Sequence, residues 1–281
     1  PQRSSSVLIS ALPLVFDVQP VKAELGTIYI RADGSIDPST APVSTIDNVT
    51  YTFAGDINDS IVVERNNTVI DGSGYTVQGT NLYDSRGIAL TVGSNVTIKN
   101  MNIRAFFYGI YVSSSSNNGG ISGNNIMNDI YGIYLDGSPN NRISGNNITD
   151  NASGIYHNFR GIYVDGSSDN SISGNSITGS SWDGIRLDDS PENNIRENSI
   201  TDNNNGLFLT LGSNNNTVSG NNITDNGNGI RLSSSNNSVG ENNVTDNNGY
   251  GIWLDSSSNN NINGNAFLND GLEVQGSYDN V

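Results

Sequence analysis

The residues best suited to catalysis are four aspartates and one arginine near the middle of the chain. Asp165, Asp183, Asp188 and Asp189 lie close in sequence to Arg186. Two carboxylates about 5 Å apart can act as acid and base on a glycosidic bond. Alternatively, they hold calcium beside an arginine that removes the α-proton of a uronate. Either chemistry makes this group the candidate catalytic site of a polysaccharide lyase or glycoside hydrolase.

A second set of candidate residues follows a recurring Gly-Ile-x-Leu-x segment. If Ile and Leu point inward from an extended strand, the x positions face solvent, where the fold does not need large aromatic residues. Such rings either stack on sugars while neighbouring charged groups bind hydroxyls or uronates, or join adjacent segments to one another. The ligand-binding candidates in this pattern are Tyr111, Tyr134, Asp136, Tyr163, Asp165, Arg186, Asp188, Phe208, Arg231, Trp253 and Asp255.

One insertion interrupts this pattern and adds a lone histidine. Residues 154–160, Gly-Ile-Tyr-His-Asn-Phe-Arg, precede the segment that carries Tyr163. Insertions of this kind form bulging loops in repeat proteins and often build binding sites. We therefore add His157 and Arg160 to the ligand-binding candidates, although a lone surface histidine is more often inert than catalytic.

The composition excludes several classes of function. The chain has 281 residues, a formal charge of −16, no cysteine, one histidine and only two lysines, Lys22 and Lys99. Nucleic-acid binding needs a positive surface, so we expect no nucleic-acid partner. Thiolate and histidine-rich metal sites are impossible, so any metal would have to be a hard, oxygen-ligated ion such as calcium. We therefore predict that the chain has no bound cofactor and no dedicated metal site, with calcium as the metal most compatible with its oxygen ligands.

An internal repeat sets the elements that position these residues. A Gly-apolar step recurs every 22 to 23 residues, with one seven-residue insertion. Two further apolar columns keep the same phase, and no segment has the period of an amphipathic helix. Short β-branched segments that alternate with polar residues indicate strands. The glycines of the step are Gly87, Gly109, Gly132, Gly161, Gly184, Gly206, Gly229, Gly251 and Gly271.

Three short strands per repeat predict an all-β fold, a single-stranded right-handed parallel β-helix of about nine coils with an N-terminal β cap. A leucine-rich repeat has a similar period but needs a leucine-rich consensus and a helical return, and neither is present. Asparagine accounts for 47 residues and recurs two positions before the second and third apolar columns. It suits sharp turns, and stacked amides can hydrogen-bond along the axis. We expect these ladders to be structural.

The repeated sequence Asn-x-Ile-Ser-Gly-Asn-x-Ile-Thr-Asp-Asn…Gly-Ile-Tyr-Leu-Asp resembles the parallel β-helix repeats of the CASH/NosD-like group of pectin-lyase-like proteins. Residues 61–72 resemble the usual first coil of such proteins. The resemblance implies a β-helix over residues 61–281 behind a β cap over residues 24–60. It also implies a secreted surface protein of the archaeal type.

The resemblance predicts the fold better than the activity, because the group contains lyases, hydrolases, epimerases and copper-pathway accessory proteins. The polygalacturonase type would show Asn-Thr-Asp, Asp-Asp, His-Gly and Arg-x-Lys in order, and only the Asp188-Asp189 pair is present. Two methionines and one histidine disfavour a copper role. Enzymatic activity therefore stays open, with a non-enzymatic role favoured.

Both ends of the chain bear on location and assembly. Residues 7–18 form an apolar run too short to span a membrane. We interpret residues 1–23 as an export signal or as a retained segment that covers an exposed β edge. Residues 271–281 stop in mid-repeat without a polar cap, which indicates a truncation or end-to-end contact with another chain.

Ten Asn-x-Ser/Thr sequons fit a glycosylated protein outside the cytoplasm, although a chain rich in Asn, Ser and Thr also produces sequons by chance. They begin at Asn48, Asn58, Asn66, Asn95, Asn147, Asn151, Asn215, Asn222, Asn236 and Asn243.

The sequence as a whole predicts a secreted or cell-surface β-helix with a structural or adhesive role. Its expected partners are a polysaccharide or other glycan and, through the coil ends, further copies of itself. We expect no integral membrane span in this segment. The alternative is a lyase or glycosidase that acts on an extended, acidic polysaccharide.

Overall fold

The computed structural model describes residues 26–91, 93–113, 116–149 and 160–281, and every regular element in these ranges is a β-strand. The strands are numbered here in chain order and form three sheets. Sheet 1 contains β1 (Ile28–Ile30), β2 (Ile36–Asp37), β5 (Ile61–Val63), β8 (Arg86–Leu90), β11 (Tyr108–Val112), β14 (Tyr131–Asp136), β17 (Arg160–Asp165), β20 (Asp183–Asp188), β23 (Asn205–Thr210), β26 (Asn228–Leu232), β29 (Ile252–Asp255) and β32 (Leu272–Gln275).

The other two sheets carry the shorter strands of each repeat. Sheet 2 contains β3 (Val43–Thr45), β4 (Thr50–Phe53), β6 (Thr68–Asp71), β9 (Val96–Lys99), β12 (Gly120–Ser122), β15 (Arg142–Ser144), β18 (Ser171–Ser173), β21 (Asn194–Arg196), β24 (Thr217–Ser219), β27 (Ser238–Gly240) and β30 (Asn261–Asn263). Sheet 3 contains β7 (Thr76–Gln78), β10 (Asn102–Arg104), β13 (Asn125–Met127), β16 (Asn147–Thr149), β19 (Ser176–Thr178), β22 (Ser199–Thr201), β25 (Asn222–Thr224), β28 (Asn243–Thr245) and β31 (Ala266–Leu268).

The strand pairing follows the repeat. From β5 to β31 the chain completes nine coils, each with one strand in every sheet, and these strands pair in parallel with their counterparts in the next coil. Before them, β1 pairs antiparallel with β2 and β3 antiparallel with β4, while β1 and β4 continue sheets 1 and 2 in parallel. The predicted parallel β-helix with three strands per coil is confirmed.

Aliphatic side chains in register from coil to coil fill the interior. In sheet 1, for example, Ile133 pairs with Ile162 and Ile162 with Ile185, and all three are fully buried. Because side chains alternate between the two faces of a strand, the same strands present their polar residues outside. Burial of each such side chain stabilises the fold by about 1.5–3 kcal/mol. The core is therefore a stack of equivalent layers rather than one central cluster.

The glycine of each repeat is required by close packing between coils. A Cβ atom on Gly184 would lie 2.7 Å from the carbonyl oxygen of Gly206 and 2.7 Å from Cγ2 of Ile200. Gly206 has the same relation to Gly229 and Ile223 in the following coil, again at 2.7 Å from both atoms. Real Cβ contacts are not this short, so the recurring glycine reflects sterics between backbones.

The two predicted asparagine ladders are confirmed. In the ladder at the turn before sheet 3, Nδ2 of Asn198 donates to Oδ1 of Asn221 at 3.0 Å and to the Ile172 carbonyl at 3.0 Å. Its Oδ1 accepts from both the backbone N and Nδ2 of Asn175. The second ladder, before sheet 2, has the same form, as in the Asn170 to Asn193 bond of 3.0 Å. Buried turns thus satisfy their polar groups along the axis.

A third ladder, which was not predicted from the sequence, joins successive coils at the turn after sheet 3. Asn203 donates through Nδ2 to Oδ1 of Asn226, and Asn226 to Oδ1 of Asn247, each at 3.0 Å. Earlier in the chain the equivalent position holds Asp129, whose Oδ1 accepts the backbone N–H of Phe106 at 2.7 Å. A carboxyl group therefore stands where later coils have an amide.

The carboxyl of Asp129 is fully enclosed, and this changes its titration. Only 1% of the residue is exposed, and burial raises its pKa well above the ordinary value, with the Phe106 N–H as a smaller opposing cause. Oδ2 of Asp129 lies 2.8 Å from the position that a Cβ atom on Gly109 would occupy. In a later coil, Nδ2 of Asn203 has the equivalent place, 3.1 Å from the position of a Cβ atom on Gly184. An asparagine at position 129 would put a neutral donor where the buried carboxylate oxygen now lies.

We expect Asp129→Asn to stabilise the protein at neutral pH. A raised pKa in the folded state means that wild-type Asp129 contributes most below the unfolded pKa of about 3.8 and loses that contribution as pH rises. The stability gain of the variant should therefore grow from pH 4 to pH 7 in urea unfolding monitored by circular dichroism. A gain that is constant with pH, or a loss at pH 7, would contradict this assignment.

Candidate functional site

The outward surface of sheet 1, called here the sheet 1 face, carries the predicted ligand-binding residues in two columns. Strand pairing places each member directly beside its counterpart in the next coil. The first column is Tyr111, Tyr134, Tyr163, Arg186, Phe208, Arg231 and Trp253. The second contains Asp136, Asp165 and Asp188 in register, with Asp255 three coils beyond Asp188. All of these residues are partly exposed except Phe208 and Asp188, which are buried with 9% and 6% of their surface accessible to solvent.

A further column of outward side chains, not predicted from the sequence, lies on the same face. Both residues of the Gly-Ile pair are buried, and the side chain of the residue just before the glycine points to the outside of the coil. Tyr131 in β14 is an example. The fixed place of this residue before every repeat glycine is the signal that would have revealed the column. This column contains Arg86, Tyr108, Tyr131, Arg160, Asp183, Asn205 and Asn228.

The tyrosines of the N-terminal half of the sheet 1 face stack on one another. The rings of Tyr134 and Tyr163 lie 4.8 Å apart at an interplanar angle of 11°, and those of Tyr108 and Tyr131 lie 5.3 Å apart. Their π-faces therefore point along the coil axis and are covered by neighbouring rings. This arrangement favours the alternative in which the tyrosines join adjacent coils.

The tyrosine hydroxyls donate to carboxylates of the following coil. Burial, followed by this hydrogen bond, raises the pKa of Tyr111 to about 12, and burial also raises the pKa of Tyr134 and of Tyr163. The phenols therefore stay protonated and remain donors at physiological pH. The bonds join Tyr111 to Asp136 at 2.6 Å, Tyr134 to Asp165 at 3.1 Å and Tyr163 to Asp188 at 2.9 Å.

The C-terminal half of the sheet 1 face alternates arginines with aromatic rings. The guanidinium of Arg231 lies 4.7 Å from the Phe208 ring and 4.1 Å from the Trp253 ring, while Arg186 lies 4.9 Å from Phe208. Nη2 of Arg231 also pairs with Oδ2 of Asp255 at 2.6 Å and, as the main cause, holds the pKa of that carboxyl below its usual value. Cation–π contacts and ion pairs together fix these side chains.

The structure joins Asp183, Arg186 and Asp188 of the predicted catalytic group. Nε of Arg186 lies 2.8 Å from Oδ1 of Asp188, and Nη1 lies 3.5 Å from Oδ2 of Asp183. Burial alone would lower the pKa of Arg186, but hydrogen bonding to Asp188 and the charges of both carboxylates raise it. Asp165 is not part of this ion-paired group, and its carboxylate accepts a hydrogen bond from the Tyr134 hydroxyl. Asp189 is exposed, has a φ of 45° and lies outside this ion-paired group, in the turn after β20.

A shallow pocket of about 190 Å³ opens beside this ion-paired group. One wall is Trp182, which is 47% exposed although most aromatic residues of the face are covered. An exposed ring beside convergent polar groups is a usual composition for a binding site. A larger cavity, about 390 Å³, lies against β3 and β4 but has Asp47 as its only charged lining residue and no aromatic ring. The smaller pocket is lined by Trp182, Asp183, Arg186, Asn204, Asn205, Phe208 and Arg231.

Arg160 differs from its predicted place in a bulging loop. It is the first residue of β17, where it pairs with Tyr131 and Asp183 and is only 7% exposed. Its guanidinium lies 4.5 Å from the Tyr163 ring and 5.2 Å from the Trp182 ring, so stacking and an ion pair with Asp183 hold it in the sheet. Residues 154–159, including His157, lie outside the described residues, as do residues 1–23 and Asn151.

The nine sequon asparagines within the described ranges are all exposed. Three of them, Asn147, Asn222 and Asn243, lie on sheet 3 strands, and Nδ2 of Asn243 donates to Oδ1 of Asn222 at 2.7 Å. Exposure is what glycosylation needs, and modification of these sites stays a prediction.

Two family models match successive parts of the chain. The family described as "Periplasmic copper-binding protein (NosD)" matches residues 35–160, and the family described as "Right handed beta helix region" matches residues 155–281. The chain is a right-handed β-helix protein that is similar to the NosD family over residues 35–160. The periplasmic description confirms the predicted location outside the cytoplasm. Within the described ranges, no helix of this NosD-like protein has the length and apolarity needed to cross a membrane.

The donor set of this NosD-like chain does not fit copper. Copper sites draw on histidine, cysteine and methionine, and this chain has no cysteine, one histidine and two methionines. Met101 is buried among core side chains. In the part of the chain that the structure describes, no group of three or more His, Cys, Asp or Glu is arranged to hold a metal ion. We therefore derive no chemistry through copper.

Solved structures share the fold at low sequence identity. DFA-IIIase from Arthrobacter chlorophenolicus A6, without its lid, is 16% identical with a TM-score of 0.61, and the match covers 79% of this chain. The periplasmic alginate epimerase AlgG is 18% identical with a TM-score of 0.59, covering 85% of this chain and 79% of its own. The Dettilon tailspike protein is 18% identical with a TM-score of 0.57, covering 86% of this chain.

The matched region is only part of two of these proteins. The NosD-like chain covers 62% of DFA-IIIase and 59% of the tailspike. No curated protein is significantly similar in sequence.

Proposed function

We propose that this protein is a β-helix of the cell exterior that binds polysaccharide through the pocket beside Trp182. The observation that carries the proposal is the exposed indole of Trp182 next to two guanidinium groups and two amides in one concave site. Indole faces stack on sugar rings, and paired charges with amides bind hydroxyls. A protein that binds polysaccharide without cleaving it would have a structural or adhesive role.

The proposal narrows the set of contact residues predicted from sequence. The stacked faces of Tyr134 and Tyr163 and their hydroxyl bonds to carboxylates leave mainly ring edges for a ligand. The side chains of Arg186 and Arg231 instead line the pocket while their ion pairs fix their position. Preorganised groups bind with less loss of side-chain entropy. The ligand contacts are therefore assigned to the C-terminal half of the sheet 1 face.

The fold neighbours give this proposal support from analogy alone. One is named as an alginate epimerase and another as a tailspike protein. Their identity to this chain shows a shared fold, and function resides in sites rather than in folds. The pocket itself must therefore be tested.

We expect Trp182→Ala to weaken polysaccharide binding by at least about 2 kcal/mol, roughly thirtyfold in Kd, because a central tryptophan commonly dominates a binding site. Neutral and acidic polysaccharides would be screened by affinity electrophoresis, and a binding one would be cut to defined oligomers for calorimetry. The matched control is Tyr75→Ala, which removes a ring that is 38% exposed just before β7, away from the pocket.

Binding that is lost in Trp182→Ala and kept in Tyr75→Ala supports the proposal. Equal affinity in both variants would remove the pocket from the mechanism. A wild-type protein that binds no member of the panel would refute polysaccharide binding as the function.

A lyase or glycosidase is the second candidate, because the ion-paired Asp183, Arg186 and Asp188 adjoin the same pocket. Both carboxylates are engaged by Arg186, which leaves neither placed to deliver a proton to a leaving oxygen. We therefore expect no product when bound polysaccharides are incubated with the protein. Product that disappears in Asp188→Asn would establish the enzyme instead. Self-association, the other predicted mode of adhesion, is tested on the same samples by sedimentation velocity.

A further inference from the structure

We propose that the aromatic column of the sheet 1 face is a relay for one-electron oxidation that connects the pocket at Trp182 to the exposed Tyr83. The ring contacts are continuous from Tyr83 to Tyr163, and the hydroxyls of Tyr134 and Tyr163 have carboxylate acceptors, whereas joining adjacent coils requires neither property. The relay moves oxidising equivalents from the pocket to a residue that solvent reductants can reach.

The rings form an unbroken chain of contacts. Tyr83 lies 4.9 Å from Phe107, Phe107 lies 4.8 Å from Tyr108, and Tyr108 lies 5.4 Å from Tyr134, measured between ring centroids. Tyr134 continues to Tyr163 at 4.8 Å. No step exceeds 6 Å, so electron exchange between neighbours needs no bridging solvent.

The far end of the chain reaches the pocket through Arg160. The guanidinium of Arg160 stacks 4.5 Å from the Tyr163 ring and 5.2 Å from the Trp182 ring. Trp182 is 47% exposed and Tyr83 is 87% exposed, so both ends meet solvent while the rings between them are largely covered. The ends are four coils apart, a distance of about 19 Å along the axis.

Two inner phenols, Tyr163 and Tyr134, have a carboxylate acceptor for the proton that they must release on oxidation. Tyr163 donates to Oδ2 of Asp188 and Tyr134 to Oδ2 of Asp165, at 2.9 and 3.1 Å. Because the phenols are protonated at physiological pH, loss of an electron must be coupled to loss of this proton. A short hydrogen bond to a carboxylate allows the two to leave together.

The steps balance with one external oxidant, such as a photogenerated ruthenium(III) polypyridyl complex. Ruthenium(III) takes one electron from Trp182 and becomes ruthenium(II). Tyr163 then reduces oxidised Trp182 and passes its proton to Asp188. Tyr134 next reduces the Tyr163 radical, which recovers its proton from Asp188, while the Tyr134 proton moves to Asp165. Tyr108 then reduces the Tyr134 radical, which recovers its proton from Asp165, and the Tyr108 proton is released to water. Tyr83 finally reduces the Tyr108 radical across the Phe107 ring, Tyr108 takes up a proton from water, and Tyr83 releases its own proton to water.

The absence of cysteine makes a site-directed test possible. An Asn204→Cys variant provides one thiol at the pocket, to which a ruthenium(II) polypyridyl photosensitiser is attached and oxidised by flash and quench. We expect a tyrosyl radical by electron paramagnetic resonance, with spin-trap adducts located at Tyr83 by peptide mass spectrometry. Adduct yield at Tyr83 should not depend on protein concentration.

The decisive comparison combines Tyr108→Phe, Tyr131→Phe and Tyr134→Phe in the labelled background. Together with Phe107, these substitutions leave no phenol on the direct path of ring contacts between Tyr163 and Tyr83, while every ring is retained. We expect at least a tenfold loss of Tyr83 adduct. Tyr75→Phe, outside the column, should leave the yield unchanged.

A second measurement keeps the test independent of folding defects. In the labelled protein with all tyrosines intact, formation of the Tyr83 radical should be slower in D2O, because oxidation of Tyr163 and of Tyr134 moves a proton to a carboxylate. A yield at Tyr83 that survives the triple variant, no adduct at Tyr83, or a rate that is unchanged in D2O would overturn the relay.

Discussion

Asn198→Ala is expected to lower the free energy of unfolding by about 3–4 kcal/mol. The substitution removes the acceptor of two Asn175 donors and the donor to Asn221 and to the Ile172 carbonyl. All of these groups are buried, and each buried polar group left without a partner costs about 1–3 kcal/mol. The ladder is cooperative along the axis, so one missing amide affects the coils on both sides.

Urea unfolding by circular dichroism, with hydrogen exchange to locate the loss of protection, measures this effect. The matched control is Asn194→Ala in the same coil, because Asn194 is exposed on β21. We expect a change within about 0.5 kcal/mol there. Equal effects of the two substitutions would show that asparagine is frequent for turn propensity alone and that the stacked amides contribute little.

Gly184→Ala is expected to destabilise the protein by about 3 kcal/mol, the upper part of the range for overpacked cores. The added methyl would meet the Gly206 carbonyl oxygen and Cγ2 of Ile200, both at 2.7 Å. Neither atom belongs to a flexible side chain, so relief requires the coils to separate. The free energy of unfolding is measured in urea, and the residues that lose hydrogen-exchange protection should lie on the coils of Gly184 and Gly206.

Gly120→Ala is the control for this substitution. Gly120 lies on β12, where an added Cβ would come no closer than 3.6 Å to Oγ1 of Thr97. Its φ is not positive, so alanine should be neutral or slightly stabilising through the unfolded chain. Comparable losses at positions 120 and 184 would mean that the repeat glycines serve flexibility rather than close approach.

The structure separates two uses of the same sheet 1 face. Stacked tyrosines that bond to aspartates occupy the N-terminal half, whereas Trp182 and the pocket lie in the C-terminal half. Coil joining by side chains occurs in both halves, and the proposed recognition of polysaccharide concerns the C-terminal half alone. Tests of binding and tests of stability should accordingly use different residues.

Much of the fold was predictable because its determinants are local and repeated. Alternation around Ile133 and Ile162, with a fixed glycine and asparagine phase, determines the strands, the inward face and the coil length. Sequence also identified two of the three amide ladders. It missed the ladder that contains Asn203 because only some coils have asparagine there, and Asp129 or Ser180 takes the place in others.

The candidate site was only partly predictable. The column of Tyr134, Tyr163 and Arg186 was identified from the period of the strand. The column of Tyr131, Arg160 and Asp183 was missed because Gly and Ile both point inward, which breaks simple alternation at one position per coil. Trp182 precedes its strand, so no strand pattern indicated its exposure or its role as a pocket wall.

The amino-acid pattern alone was enough to predict a parallel β-helix, the residues that fill its interior and two of the three outer columns of the sheet 1 face. These properties follow from the alternation of inward and outward side chains along each strand, and the same alternation recurs in every coil. The three-dimensional packing determines which outer side chains bind one another. The Tyr163 hydroxyl, for example, donates to Asp188, whereas the Trp182 ring is 47% exposed. Those choices depend on rotamers and on contacts between residues 22 to 31 positions apart, which no local pattern encodes.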